Sequence, residues 1–181
     1  MSLTLATLLP GLFLAILGIL LLINNSAVQS TFKALPRSRV GASVFFGGGA
    51  LWFLYIVWNL SAADLVVFTT PQPWVVIFGA LAGLAFFYVP DFLAVRGLSV
   101  LTLLAGWPLL MAAYMEHDKP QRLFMVSAVF IAVSLAIYLG ASPFRLRDFF
   151  QWLFSTRGRP RLVGGVLAAY GFLLTVVAFT Y

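Results

Sequence analysis

Cysteine is missing from this 181-residue chain, and charge is scarce: eleven Lys and Arg with five Asp and Glu make up 9% of it. The first absence excludes disulfides, thiolate metal sites and cysteine nucleophiles. The second excludes a water-compatible surface, because a soluble domain carries charge on about a quarter of its residues. With 62% hydrophobic residues and a mean hydropathy of +1.04, most of the surface has to face lipid. The net charge of +6 then follows from the positive-inside bias of membrane proteins, and nucleic acid is not an expected partner. The chain also lacks a P-loop, G-x-S-x-G, H-E-x-x-H and an aspartate pair for intramembrane proteolysis. Its two lysines, Lys33 and Lys119, fall between apolar runs, so neither is placed for a retinal Schiff base. One histidine, His117, is too few for bis-histidine haem.

What is present is a series of apolar runs. A bilayer core of about 30 Å takes ~20 helical residues at 1.5 Å each. Six runs approach that length: Leu3 to Ile23, Val40 to Leu60, Trp74 to Val89, Leu98 to Met115, Leu123 to Leu139 and Leu162 to Tyr181. The third is shortest, and Phe92-Leu93 beyond Pro90 is its available extension. The first run has no basic residue ahead of it, exceeds the usual signal-peptide core, and is followed by Ala27-Val28-Gln29, a poor cleavage site. It is expected to be a retained helix.

The connections set the orientation. The first holds Lys33, Arg37 and Arg39; the third holds Asp91 and Arg96; the fifth holds Arg145, Arg147, Arg157, Arg159 and Arg161 with Asp148. The second holds only Asp64, and the fourth holds Glu116, His117, Asp118, Lys119 and Arg122. Lys and Arg therefore gather in alternate connections, which places those in the cytoplasm and both chain termini outside. The expected fold is all-α: a single transmembrane domain over 1–181, a polytopic bundle of six transmembrane helices with extracytoplasmic termini. The bacterial inner (plasma) membrane is the expected location. Three hairpins, 1–60, 61–120 and 121–181, each carry a basic inner turn. Arg37-Ser38-Arg39 ahead of one apolar run matches Arg159-Pro160-Arg161 ahead of another. An internal duplication would explain this, and so would positive-inside selection alone.

Between runs five and six, Leu146, Phe149, Phe150 and Leu153 follow i, i+3, i+4, i+7 spacing, with Arg145, Arg147, Asp148 and Gln151 opposite. Pro143 suits a first helical turn and Ser142 a cap. A short amphipathic helix in the interface is expected there. The exposed cations Arg37, Arg39, Arg145, Arg147, Arg157, Arg159 and Arg161 are candidate contacts for anionic headgroups or a protein partner. Candidate helix-packing residues are Gly47, Gly48, Gly49, Gly79, Gly83, Gly164 and Gly165, because helices in lipid associate through close backbone approach. Packing within the bundle, an oligomer contact and a passage for a small solute are the alternatives for them. Trp58, Trp74 and Trp152 fall at expected interfaces, while Trp52 and Trp107 are expected to pack between helices.

The runs contain no ionised group; Ser43, Asn59, Ser99, Thr102, Ser127, Ser134 and Thr175 are their main polar residues. Membrane-embedded charge marks proton and ion pathways, so ion coupling is not expected. Asp91 and Arg96 are spaced to pair at the inner surface as a helix terminus. Glu116-His117-Asp118 has neither the number nor the spacing of a metal site. No cofactor, metal or catalytic residue is expected. The expected role is a non-catalytic integral subunit or scaffold of a larger inner-membrane assembly, with a membrane-protein partner or a second copy. The alternative is a small transporter or channel for a neutral solute, working by uniport. A lipid-modifying enzyme would have to draw on Asp91 with Arg96, or on the His117 cluster.

Overall fold

The computed structural model describes residues 1–61, 64 and 70–181, so part of the second connection lies outside the described residues. Within them the fold is helical throughout. Five helices are long and apolar enough to cross a membrane: α1 (Leu3–Ile23), α3 (Arg39–Trp58), α5 (Leu93–Ala113), α6 (Arg122–Ala141) and α8 (Gly158–Ala178). A shorter apolar helix, α4 (Gln72–Tyr88), stands between α3 and α5. Two polar helices, α2 (Ser26–Ala34) and α7 (Phe144–Leu153), complete the set. The chain is built as an integral membrane protein.

Local chemistry fixes where the helices stop. Ser2 Oγ accepts from Leu5 N at 3.4 Å to open α1, which closes at Asn24 in the left-handed region (φ 43°). Asn is one of the few side chains that tolerate that conformation. Asn25 then opens α2, its Oδ1 accepting from Val28 N at 2.8 Å. The Asn pair is thus a cap at both of its positions. Beyond α4 the backbone breaks at Pro90 and Phe92, and Leu93 opens the next helix. The extension of the third run through Phe92-Leu93 is therefore not made: Pro90 lacks the N–H that a continuing helix needs, and Phe92 adopts φ 57°. Ser142 does not cap α7 with its side chain; its carbonyl accepts from Arg145 N at 3.1 Å, and Pro143 precedes the helix.

Helix α1 lies antiparallel against α8 through small residues. A Cβ on Gly18 would overlap the Ala168 backbone, and one on Gly171 would overlap that of Ala15. Gly164 faces the Gly18 carbonyl, and Gly11 meets Thr175. Helix α3 runs parallel to α5, where a Cβ on Gly97 would overlap the backbone of Phe45 and Phe46. That part of α3, Ala42–Gly47, is a π-helical turn. Helices α5 and α6 are antiparallel, with Gly106 against Val133 and Gly140 against Ser99. Helix α4 lies antiparallel to α3 through edge-on aromatic pairs, Phe46–Phe86 at 5.3 Å and Phe53–Phe78 at 5.2 Å. The extensive partner of α1 is α8.

These directions sort the helix ends into two groups. At one end Leu3, Ala113, Met125 and Leu174 are buried together, and Thr7 Oγ1 lies 3.5 Å from the Tyr181 hydroxyl. At the other end Leu21 packs with Phe150 and Leu153, and Ala42 with Leu93 and Ala94. Arg39, Arg96 and Arg161 stand in the first turns of α3, α5 and α8, all at this second end. Trp107 departs from expectation: it is 72% exposed on the outer surface of α5, because Gly106 beside it takes the inward position.

The packing predicts a sharp contrast between glycines. Gly97→Ala forces α5 off α3 and should destabilise the bundle by about 2 kcal/mol. Gly83 has open space around its Cβ position, so Gly83→Ala should be neutral or stabilising by up to ~1 kcal/mol through helix propensity. Thermal unfolding in a mild detergent separates the two; equal midpoints would contradict the α3–α5 contact.

Candidate functional site

The second end of the bundle gathers the first, third and fifth connections into one basic platform. Helix α2 is its first part, lying within a segment that reads as a loop in the sequence. Its signal is Val28, Phe32 and Leu35 at i, i+4 and i+7 behind an Asn cap, a helical period too short to stand out beside 20-residue runs. Phe32 meets Phe150 edge-on at 5.4 Å and Phe154 at 6.2 Å. Helix α7 supplies the other side: Phe150 and Leu153 are buried and Leu146 partly so. Phe149, expected on the same apolar face, is instead 42% exposed. The two polar helices therefore dock on each other as well as on α1 and α8.

Phe92 joins the three connections. Arg37 from the first lies 5.1 Å from its ring centroid, and Arg147 from the fifth lies 5.9 Å away. A cation above an aromatic face contributes about 0.5–1 kcal/mol at exposed sites. Left-handed backbone in a bulky residue such as Phe92 costs on the order of 1–3 kcal/mol and is held by its surroundings. Arg147 also donates through Nε and Nη2 to Asp148 Oδ1, at 3.0 and 2.8 Å. Nothing in the sequence announces Phe92, because αL geometry in a Phe has no residue signature.

The other proposed contact residues spread around this platform. Arg159 lies 4.8 Å over the Trp152 ring and donates through Nη1 to the Trp152 carbonyl at 3.0 Å and Ser155 Oγ at 2.6 Å. It closes the C-terminal end of α7, where cations are favoured. Lys33 lies 5.9 Å from the Phe154 ring. Arg145 stacks on its neighbour Phe144 at 5.4 Å. Arg39, Arg157 and Arg161 are exposed. The expected Asp91–Arg96 pair is not made: the ion pairs among the described residues are Lys119–Glu116 and Arg147–Asp148. Arg96 is exposed in the first turn of α5.

Of the candidate packing glycines, Gly49 (Val100 Cγ1 at 3.3 Å) and Gly164 lie in helix contacts. Gly47 and Gly79 reach only side-chain tips, Phe86 and Leu54, at 3.9 and 3.8 Å, while Gly48, Gly83 and Gly165 face open space. The tightest backbone approaches fall at Gly11, Gly18, Gly97, Gly164 and Gly171, most of them single glycines within apolar runs.

The opposite end holds a shallow cleft of about 330 Å³ lined by Leu110, Ala113, Tyr114, Met115, His117, Arg122, Leu123 and Val126. Arg122 Nη1 donates to the Ala113 carbonyl at 2.7 Å, and its Nη2 lies 3.0 Å from His117 Nδ1. Arg122 thereby ties the start of α6 to the end of α5. Glu116 is engaged by Lys119 at 3.0 Å, and no group of three metal-ligating side chains occurs among the described residues. The chain matches no family model, no curated protein and no solved structure.

Phe32→Ala removes the shared ring between α2 and α7, and should cost about 2 kcal/mol at this half-buried position. Cleavage by added protease within 24–38 should accelerate in permeabilised vesicles while the spans stay protected. An unchanged cleavage rate would show that α2 is held by other contacts.

Proposed function

We propose that this protein is a non-catalytic integral subunit or scaffold of a larger inner-membrane assembly. It would cross the bilayer six times, with α4 as the third crossing, and have both termini outside. In this reading α7, with α2 beside it, lies in the cytoplasmic interface. The observation that carries the reading is the distribution of polar chemistry. Charged side chains stand at the two ends of the bundle, and helix contacts between them are made by glycine, alanine, aliphatic and aromatic residues with the neutral hydroxyls of Ser99 and Thr175. The buried hydroxyl of Thr7 donates to the carbonyl of Leu3 at 3.0 Å, which satisfies the helix and requires no solute. Short connections leave the lipid-facing helices and the basic platform as the surfaces for association. A larger membrane protein or a second copy of this chain is the expected partner, with anionic headgroups beneath.

Transport of a neutral solute is the second reading. The π-helical turn Ala42–Gly47 favours it, since π turns recur at functional sites in helices. Against it stands the direct backbone contact of that turn with Gly97.

Two measurements test the proposal. Extracted in a mild detergent, the protein should travel as a species well above its 19.8 kDa chain mass, with itself or a defined partner. A strictly monomeric, partner-free protein would overturn the subunit reading, and proteoliposome flux would then decide for transport. The absence of cysteine makes orientation directly readable. Ser2→Cys and Thr180→Cys should react with an impermeant maleimide in intact spheroplasts. Ser38→Cys and Ser155→Cys should react only after permeabilisation. The reverse pattern would overturn the orientation, and one terminus on each side would overturn the six-crossing count.

A further inference from the structure

The cations of the platform fall into two groups that differ in their counter-charge. Around Phe92 the acids are at hand, since Asp148 accepts from Arg147 and Asp91 is the adjacent residue. Around the far end of α7 there are none: the chain has no Asp or Glu before Asp64 and none after Asp148. Helices α1, α2 and α8 and the last half of α7, which meet there, are therefore free of carboxylates. Lys33 and Arg159 stand at that junction, on the rings of Phe154 and Trp152. Arg159 is held in place through Nη1 alone by the Trp152 carbonyl and Ser155 Oγ. Its Nε and Nη2 are not used in those bonds.

We infer that this junction is a phosphate site for an anionic phospholipid, with Lys33 and Arg159 as the cationic contacts and Trp152 beside the headgroup. Lipid is favoured over a soluble phosphate because apolar surface continues from the site into the bundle's outer wall. Leu162 is 70% exposed and Val166 62%, one turn apart on α8, as acyl chains would need. Trp152, half exposed, is the residue type that settles at headgroup depth. The inference rests on the membrane reading and adds a discrete, carboxylate-free site to the generally basic face. The Phe92 group, with its own acids, is instead a tie between connections.

The test uses full-length protein stripped of lipid in neutral detergent and offered equal phosphatidylglycerol and phosphatidylcholine. Bound lipid is counted by native mass spectrometry. The wild type should retain the anionic lipid preferentially. Lys33→Gln and Arg159→Gln should each lower that preference about fivefold, and Arg159→Lys should keep most of it. Arg37→Gln, at the Phe92 group, should change it less than twofold. If Arg159 serves only as a helix cap, Arg159→Gln will lower the thermal midpoint and leave the lipid ratio unchanged, which would overturn the site. An equal fall in Arg37→Gln would also overturn it, since the effect would then belong to the whole basic face. Because lipids are counted here and protein partners are not, failure of the subunit reading leaves this result standing.

Discussion

Inside hydrocarbon, helices gain nothing by hiding apolar side chains from one another, since lipid tails solvate those side chains equally well. What remains is dispersion between surfaces that come close, and closeness is limited by the Cβ atom. The bundle meets that limit where its glycines lie. Gly11, Gly18, Gly164 and Gly171 bring α1 and α8 into backbone contact, and Gly97 does the same for α3 and α5. The remaining helices are placed by reference to these two contacts. Helix α6 follows α5 through Gly106 and Gly140, and α4 is carried on the aromatic face of α3.

The same solvent rule expels charge to the two ends, where the ends differ in kind. One is a small arrangement in which Arg122 holds Ala113 and His117. The other is broad, because α2 and α7 lie across it and convert three loops into a layer. Aromatic rings organise that layer: Phe32 between the polar helices, Phe92 between Arg37 and Arg147, Trp152 beneath Arg159. Rings suit this depth, having an apolar body for the bundle and a face that attracts cations.

The membrane character and the positions of five long apolar helices were legible in the sequence, because some twenty apolar residues in a row have few soluble explanations. The gathering of Arg39, Arg96 and Arg161 at one end was legible for the same reason, since alternation follows from counting runs. Faces were not legible. Hydrophobicity is nearly uniform around a lipid-bathed helix, so periodicity does not tell Trp107 on the outside from Gly106 on the inside. Composition drew attention to Gly47-Gly48-Gly49, whereas single glycines such as Gly18 and Gly97 make the closest approaches. At the platform, α7 was visible because its polar face is long. Helix α2, nearly as long, was hidden because it offers only Val28, Phe32 and Leu35 at helical spacing and a single charge, Lys33, and the Phe92 turn by a conformation that carries no sequence mark.

The pairing of α1 with α8 has a consequence for how the molecule is made. Its most intimate contact joins helices separated by the whole span between Ile23 and Gly158. At ~5–20 residues per second, α1 resides in the bilayer for roughly 7 to 27 seconds before synthesis of its partner begins. During that interval its small-residue stripe is covered by lipid or by whatever membrane chaperone stands beside the ribosome. A chain halted before α8 therefore leaves α1 without this mate.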